Sequence, residues 1–197
     1  MAKSGGRIRI VAGTLAGQKI TTPADIRPTT ERVREAIFSA LGDISGMSVL
    51  DLYCGSGAIG IEALSRGASV AVFIEGDRKT AATCRTNLEL TRSNEQARVV
   101  ESEVVRFLAG PLPFEAPFDL IYCDPPYETA RVEIPRVLAG LGEIGWLAKG
   151  GRVVVEQASA GTAATGLADD WITTSERKYG GTLVVTLKTK INYRHLD

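Results

Sequence analysis

Histidine is almost missing from this sequence, with His195 alone, and cysteine is sparse, with Cys54, Cys84 and Cys123 at wide spacings. No CxxC pair and no zinc-ligand set can be assembled from them, so reduced, buried thiols are the simplest reading. Net charge is missing as well: 23 Lys and Arg balance 23 Asp and Glu. That balance excludes a polycation that coats nucleic acid and an acidic tail protein. No apolar run approaches the length of a membrane span. The start, MAKSGGRIR, has basic residues without the hydrophobic segment of a signal peptide, so a short arm and a cytoplasmic location are expected.

What is present is a chain of 197 residues, 44% hydrophobic, long enough for one substantial core and too short for two average domains. Charge is unevenly placed along it. Residues 1–40 hold seven basic and three acidic side chains, and residues 177–196 hold five basic and none acidic. Neutrality therefore hides two basic ends and an acidic middle.

Periodicity divides the chain. RIRIVAG (7–13) alternates as a strand with a basic face, and Gly13 to Gly17 can return it as a second strand near Gln18–Thr21. After Pro23 and Pro28, Thr29 or Thr30 can cap a helix to about Leu41, with Val33, Ile37, Phe38 and Leu41 on one face. From Gly46 apolar strands and helices alternate. Strands are expected at 48–54, 69–75, 97–100, 118–124 and 151–157, with helices at 57–67, 77–90, 104–108 and parts of 131–147. Segment 158–166 reads as a linker, and 171–179 with 182–188 as a hairpin around Gly180-Gly181. The pattern is that of a three-layer α/β domain.

Asp51-Leu52-Tyr53-Cys54-Gly55-Ser56-Gly57-Ala58-Ile59-Gly60 carries a strand into a glycine turn and then a helix. Gly55 and Gly57 permit a tight turn and close ligand approach, and Gly60 completes GxGxxG. Glu75 ends the next strand, where a carboxylate can hold both hydroxyls of a ribose. A nicotinamide dinucleotide and S-adenosylmethionine both fit. A pyrophosphate disfavours Asp51 nearby, whereas a sulfonium and an amino group suit it. Asp51 that only organises the loop, and Glu75 as an ordinary strand-end acid, remain open.

Asp124-Pro125-Pro126-Tyr127 closes the strand at 118–123. Two prolines fix the backbone and remove two donors, leaving the Asp124 carboxylate and the Pro125 carbonyl as acceptors. Tyr127 can stack on a flat ring. This set suits a planar aromatic amine, whose two N–H groups would meet acceptors. The alternative is a rigid turn, which the preceding glycine loop and Glu75 make the poorer reading.

These motifs resemble the class I, S-adenosylmethionine-dependent amine methyltransferases. Arg9-Ile10-Val11-Ala12-Gly13, Arg27-Pro28-Thr29-Thr30, Arg32-Val33-Arg34-Glu35-Ala36-Ile37-Phe38 and Tyr179-Gly180-Gly181-Thr182 narrow the resemblance. They are similar to the bacterial 16S ribosomal RNA guanine-N2 methyltransferases (RsmD-type), from about Arg7 to Leu187. The resemblance implies a Rossmann-like three-layer sandwich with a seven-stranded, mostly parallel sheet and a C-terminal antiparallel hairpin. Residues 46–197 would form the methyltransferase domain and 1–45 a basic hairpin-and-helix extension. Asp51, Gly55, Ser56, Gly57, Glu75 and Glu103 would bind S-adenosyl-L-methionine, and Asp124, Pro125, Pro126 and Tyr127 would hold and activate the target amine. Arg7, Arg9, Arg27, Arg32 and Arg34 would face RNA. The implied partner is 16S rRNA in an assembled or assembling 30S subunit, met by a monomer that needs no metal and no membrane.

Some positions depart from the family. Glu103 stands where the family usually has Asp, Tyr53-Cys54 where it has Phe-Ala, Glu31 for Asp and Gln18 for Arg. An adenine-N6 DNA methyltransferase shares the DPPY tetrapeptide, and a non-catalytic ribosome-assembly factor could share the fold. A nicotinamide-dependent reductase shares only the glycine loop.

Overall fold

The computed structural model describes residues 5–23, 29–143, 145–159 and 170–190. Among the described residues nine strands and five α-helices follow in the order β1 (Gly6–Arg9), β2 (Lys19–Thr22), α1 (Glu31–Leu41), β3 (Ser48–Leu52), α2 (Ala58–Ser65), β4 (Val70–Glu75), α3 (Arg78–Leu90), β5 (Ala97–Glu101), α4 (Val104–Leu108), β6 (Phe118–Cys123), α5 (Ala130–Leu141), β7 (Leu147–Ala158), β8 (Trp171–Tyr179) and β9 (Thr182–Thr189). A 3-10 turn at Asn94–Gln96 precedes β5.

β1 and β2 pair by themselves, and the other seven strands form one sheet in the order β5-β4-β3-β6-β7-β9-β8. β5, β4, β3, β6 and β7 are parallel, and β9 and β8 add antiparallel. This is the class I methyltransferase fold, as the resemblance implies. The chain leaves β3 toward β4 on one side and later returns to β6 on the other. That makes a topological switch point between β3 and β6, where sheets of this kind bind ligands at the carboxyl ends of their strands.

Apolar runs explain the sheet. Val49 and Leu50 in β3, Ala71–Ile74 in β4, Leu120–Cys123 in β6 and Val153–Val155 in β7 are buried, because helices cover both faces. One apolar cluster gathers Ile10, Ile20, Val33, Ile37, Phe38 and Leu41 from the first 41 residues with Val49, Leu120 and Val154 of the sheet. The opposite face packs Leu50, Ile121 and Val153 against Ile134, Val137 and Leu138 of α5.

Two helix starts carry side-chain caps, the first at one of the two threonines expected. Thr30 Oγ1 accepts from the Val33 amide at 3.3 Å, and Asp77 accepts from the Thr80 amide at 2.8 Å. Two expectations, for β1 and β7, need correction. β1 stops at Arg9, because Gly13 turns into the C-terminal end of α2, where a Cβ would stand 1.8 Å from the Ser65 carbonyl oxygen. The helix expected in part of 131–147 is α5, Ala130–Leu141, and it stops at Gly142, whose amide donates to Leu138 O at 2.9 Å. β7 starts at Leu147, not after Gly150-Gly151, because Leu147 already pairs with Phe118 and a register shift absorbs the glycines. Most of the expected linker, 160–166, lies outside the described residues. Among the described residues no helix is long and apolar enough to cross a membrane.

Candidate active site

The glycine loop leaves β3 in a left-handed turn. Tyr53 (φ 59°), Gly55 (φ 56°) and Gly57 (φ 81°) all take positive φ. Tyr53 is the costly one, since a Cβ strains that conformation, and its hydroxyl is anchored by donating to Glu133 Oε2 at 2.7 Å. A Cβ on Gly57 would approach Cys84 Sγ to 2.7 Å, and one on Gly60 would enter the Phe73 ring at 2.2 Å. The first two glycines therefore make the turn, and Gly60 lets α2 lie close on β4.

Two carboxylates brace this loop. Asp51, 1% exposed, accepts the Gly60 amide at 2.9 Å, so one of its oxygens organises the start of α2. Burial, opposed by that bond and helped by the charge of Glu75, pushes Asp51 up to about 7. Glu75 accepts the Gly55 amide at 3.0 Å on Oε2 and the Asp77 amide at 2.8 Å on Oε1, and burial raises it too. Glu103, before α4, leans its carboxylate over Gly76, where a Cβ would meet Oε1 at 2.7 Å. Asp51 and Glu75 thus hold the backbone of the glycine loop, and Glu103 lies against Gly76 just past β4, an acidic set around glycine backbone. Its anionic character suits a ligand with cationic groups and hydroxyls, and opposes a pyrophosphate.

The DPPY tetrapeptide stands on the neighbouring strand. Asp51 pairs with Tyr122 and Leu52 with Cys123 in parallel register, so the next residues on each strand, Tyr53 and Asp124, leave the sheet side by side. The Pro126 carbonyl is taken by the amides of Thr129 (3.0 Å) and Ala130 (2.9 Å), which starts α5. Asp124 and the Pro125 carbonyl remain as the acceptors of the tetrapeptide. Tyr127 is 45% exposed, its ring open to a stacking partner. Cys54, Cys84 and Cys123 are buried and free, in keeping with their expected role as small apolar residues.

Behind Asp124 lies a network absent from the sequence reading. Thr29 Oγ1 sits 3.4 Å from Asp124 Oδ2 and 3.1 Å from Glu156 Oε2, and the Tyr122 hydroxyl donates to the same Glu156 oxygen. Glu156 is 3% exposed at the end of β7. A signal for it existed: Val153-Val154-Val155-Glu156 ends an apolar run in an acid, as the runs ending at Glu75 and Asp124 do.

The basic face is only partly as expected. Arg7, Arg9 and Arg32 are exposed, and Arg9 pairs with Glu31 at 2.9 Å. Arg27 lies outside the described residues. Arg34 is a correction. It is fully buried, donating to the Thr29 carbonyl at 2.7 Å and the Arg9 carbonyl at 2.6 Å, so it ties the segment before α1 to β1 and presents nothing to RNA. Helical spacing was the signal that separates it from Arg32: Arg34 precedes Ile37, Phe38 and Leu41 by three, four and seven residues and so lies on the apolar stripe, whereas Arg32 falls on the opposite face.

Comparisons with known proteins show the family of the chain. The family model described as "Conserved hypothetical protein 95" matches residues 8–188. Ribosomal RNA small subunit methyltransferase D of Escherichia coli (strain K12) is 38% identical over 154 residues, covering 77% of this chain and 75% of that protein. Its namesake in Haemophilus influenzae is 35% identical over 155 residues, covering 77% of this chain and 79% of that protein. Among solved structures, yhhF from Escherichia coli superposes with a TM-score of 0.81 at 34% identity, covering 95% of this chain and all of that one.

Proposed function

The chain belongs to the family of the ribosomal RNA small subunit methyltransferase D proteins and is a methyltransferase, and from that premise we propose that it transfers a methyl group from S-adenosyl-L-methionine to the exocyclic N2 amine of a guanine in 16S rRNA. The observation that carries this reading is the placement of Asp124-Pro125-Pro126-Tyr127 directly beside the glycine loop, on adjacent parallel strands. Donor and acceptor then share one crevice.

When bound, S-adenosylmethionine supplies a methyl carbon made electrophilic by its sulfonium. Asp51, Gly55, Ser56 and Gly57 would hold its methionine part, Glu75 its ribose and Glu103 the amino group of its adenine. The guanine N2 lone pair is delocalised into the ring and is a poor nucleophile. Accepting its two N–H groups on Asp124 and the Pro125 carbonyl favours a more tetrahedral nitrogen, with its lone pair aimed at the methyl carbon. Tyr127 stacks on the base and fixes its plane. The catalytic contribution of these residues is orientation and electrostatics.

RNA contact is assigned to the extension within residues 1–45, through the exposed Arg7, Arg9 and Arg32. The Thr29–Asp124 contact brings the segment just before α1 to the catalytic carboxylate, so an RNA held by this face lies at the mouth of the crevice. The target guanine must be flipped out or already unpaired to reach Asp124. The chain is read as a cytoplasmic monomer acting on an assembled or assembling 30S subunit. Labelled methyl transfer to 30S particles and to duplex DNA tests the proposal: N2-methylguanine in the particle is expected, and N6-methyladenine as the product overturns it.

A further inference from the structure

Asp124, Thr29, Glu156 and Tyr122 meet in three oxygen–oxygen contacts: Tyr122 to Glu156, Thr29 to Glu156 at 3.1 Å, and Thr29 to Asp124 at 3.4 Å. A full-strength hydrogen bond needs a proton of its own, and one proton split between two acceptors makes two weaker bonds. Tyr122 and Thr29 supply one each, and an ionised carboxylate supplies none. With both acids ionised, Thr29 would have to split its one proton between two neighbouring anions at 3.1 and 3.4 Å, while the anions repel each other. One further proton on a carboxyl turns all three contacts into hydrogen bonds.

We propose that Asp124 and Glu156 hold one proton between them across the Thr29 hydroxyl, and that Glu156 takes it when the target amine docks, leaving Asp124 as the anionic acceptor. The step balances. The Asp124 O–H bond breaks as Thr29 Oγ1 receives that proton, the proton of Thr29 passes to Glu156 Oε2, and the pair keeps a charge of −1 throughout. Glu156 and Thr29 are positioning residues that act through Asp124, and this role rests on the methyl-transfer reading above.

Topology supports the sharing. Cys123 and Val155 are register partners, so Asp124 and Glu156 leave neighbouring parallel strands side by side, on the face that carries Tyr122 and Val154. Burial, and next the charge of Glu156, push Asp124 well above the usual carboxylate range, while the Thr29 bond acts the other way. Burial raises Glu156 too, against the pull of Tyr122 and Thr29. The other charge acting on Asp124 is Asp51 from β3, while the Arg34 guanidinium of α1 is bonded to the Thr29 carbonyl and interacts with Glu62, Glu31 and Tyr122. From β9 the residue opposite Glu156 is the apolar Val184.

Carbon-13 NMR titration of the carboxyl groups in the intact chain tests this without turnover, and the pH profile of kcat/KM tests it during methyl transfer. In the wild type one of the two carboxyls stays protonated at neutral pH. Glu156→Gln removes the neighbouring charge, so Asp124 ionises at lower pH and the acid limb of the profile moves down. Thr29→Val removes a hydrogen bond to the anion, so Asp124 ionises at higher pH and the limb moves up, and Thr29→Ser restores it. Opposite shifts from two neighbouring variants cannot come from a general loss of packing. Two acids ionising together in the ordinary carboxylate range, or an unmoved limb with a uniform loss of rate, would overturn the shared proton and leave methyl transfer standing. A wild type with the NMR signature but no methyl transfer to RNA would overturn the proposed function and leave the shared proton standing.

Discussion

At the scale of the residue, the site consists of acids placed where burial works against their charge. Asp51 is the clearest case, buried and held at the start of α2 by the Gly60 amide. The folded chain retains its proton up to about 7, whereas the free side chain loses it near 3.8, so wild-type stability falls as pH rises between those values. Asp51→Asn does not titrate. The difference in Tm between variant and wild type should therefore move in the variant's favour across that interval and level off above it, in the absence of ligand. Parallel melting curves across pH would contradict this account. Asp51, Glu75 and Asp124 were legible in the sequence because each ends an apolar run at a motif. Glu156 ends such a run without a motif beside it, and its partner Thr29 is more than a hundred residues away in sequence, so only the fold brings them together.

At the scale of the element, capping and apolar periodicity located α1 and α3, with Thr30 and Asp77 as their caps, and α4 within its bounds. Less legible was how β1 and β2 attach. Glu62 on α2 is fully buried and accepts the amides of Val11 (2.7 Å) and Ala12 (3.0 Å), contacts that no periodicity encodes. Asn87 on α3 donates to the carbonyls of Thr21 and Ser56, both at 2.8 Å, and accepts the Thr21 amide at 2.9 Å. One side chain thus joins β2 to the glycine loop. Asn87→Ala leaves those buried groups unpaired and should cost about 2–3 kcal/mol. Hydrogen exchange should accelerate first at Lys19–Thr22 and in the loop around Ser56. Uniform acceleration through β3, β4 and β6 would mean that Asn87 only supports the core.

At the scale of the whole molecule, zero net charge says little about RNA, because the first 40 residues carry an excess of four positive charges that the rest of the chain offsets. The exposed Arg7 and Arg32 should behave as phosphate contacts. Replacing both with Ala should reduce the slope of log affinity against log salt by about 1.4–1.8. Arg34→Met should lower Tm instead and leave that slope unchanged, because its guanidinium is spent on two backbone carbonyls. The fold class was legible from the alternation of strands and helices, and the order β5-β4-β3-β6-β7-β9-β8 adds what the alternation alone does not give: the switch point sets the glycine loop against the Asp124-Pro125-Pro126-Tyr127 tetrapeptide. The most direct test of that central claim is mass spectrometry of 16S rRNA from cells lacking this gene, complemented with wild type or with Asp124→Ala. One N2-methylguanine should disappear on deletion, return with the wild type and stay absent with Asp124→Ala. An unchanged N2-methylguanine inventory after deletion, or its return with Asp124→Ala, would contradict it.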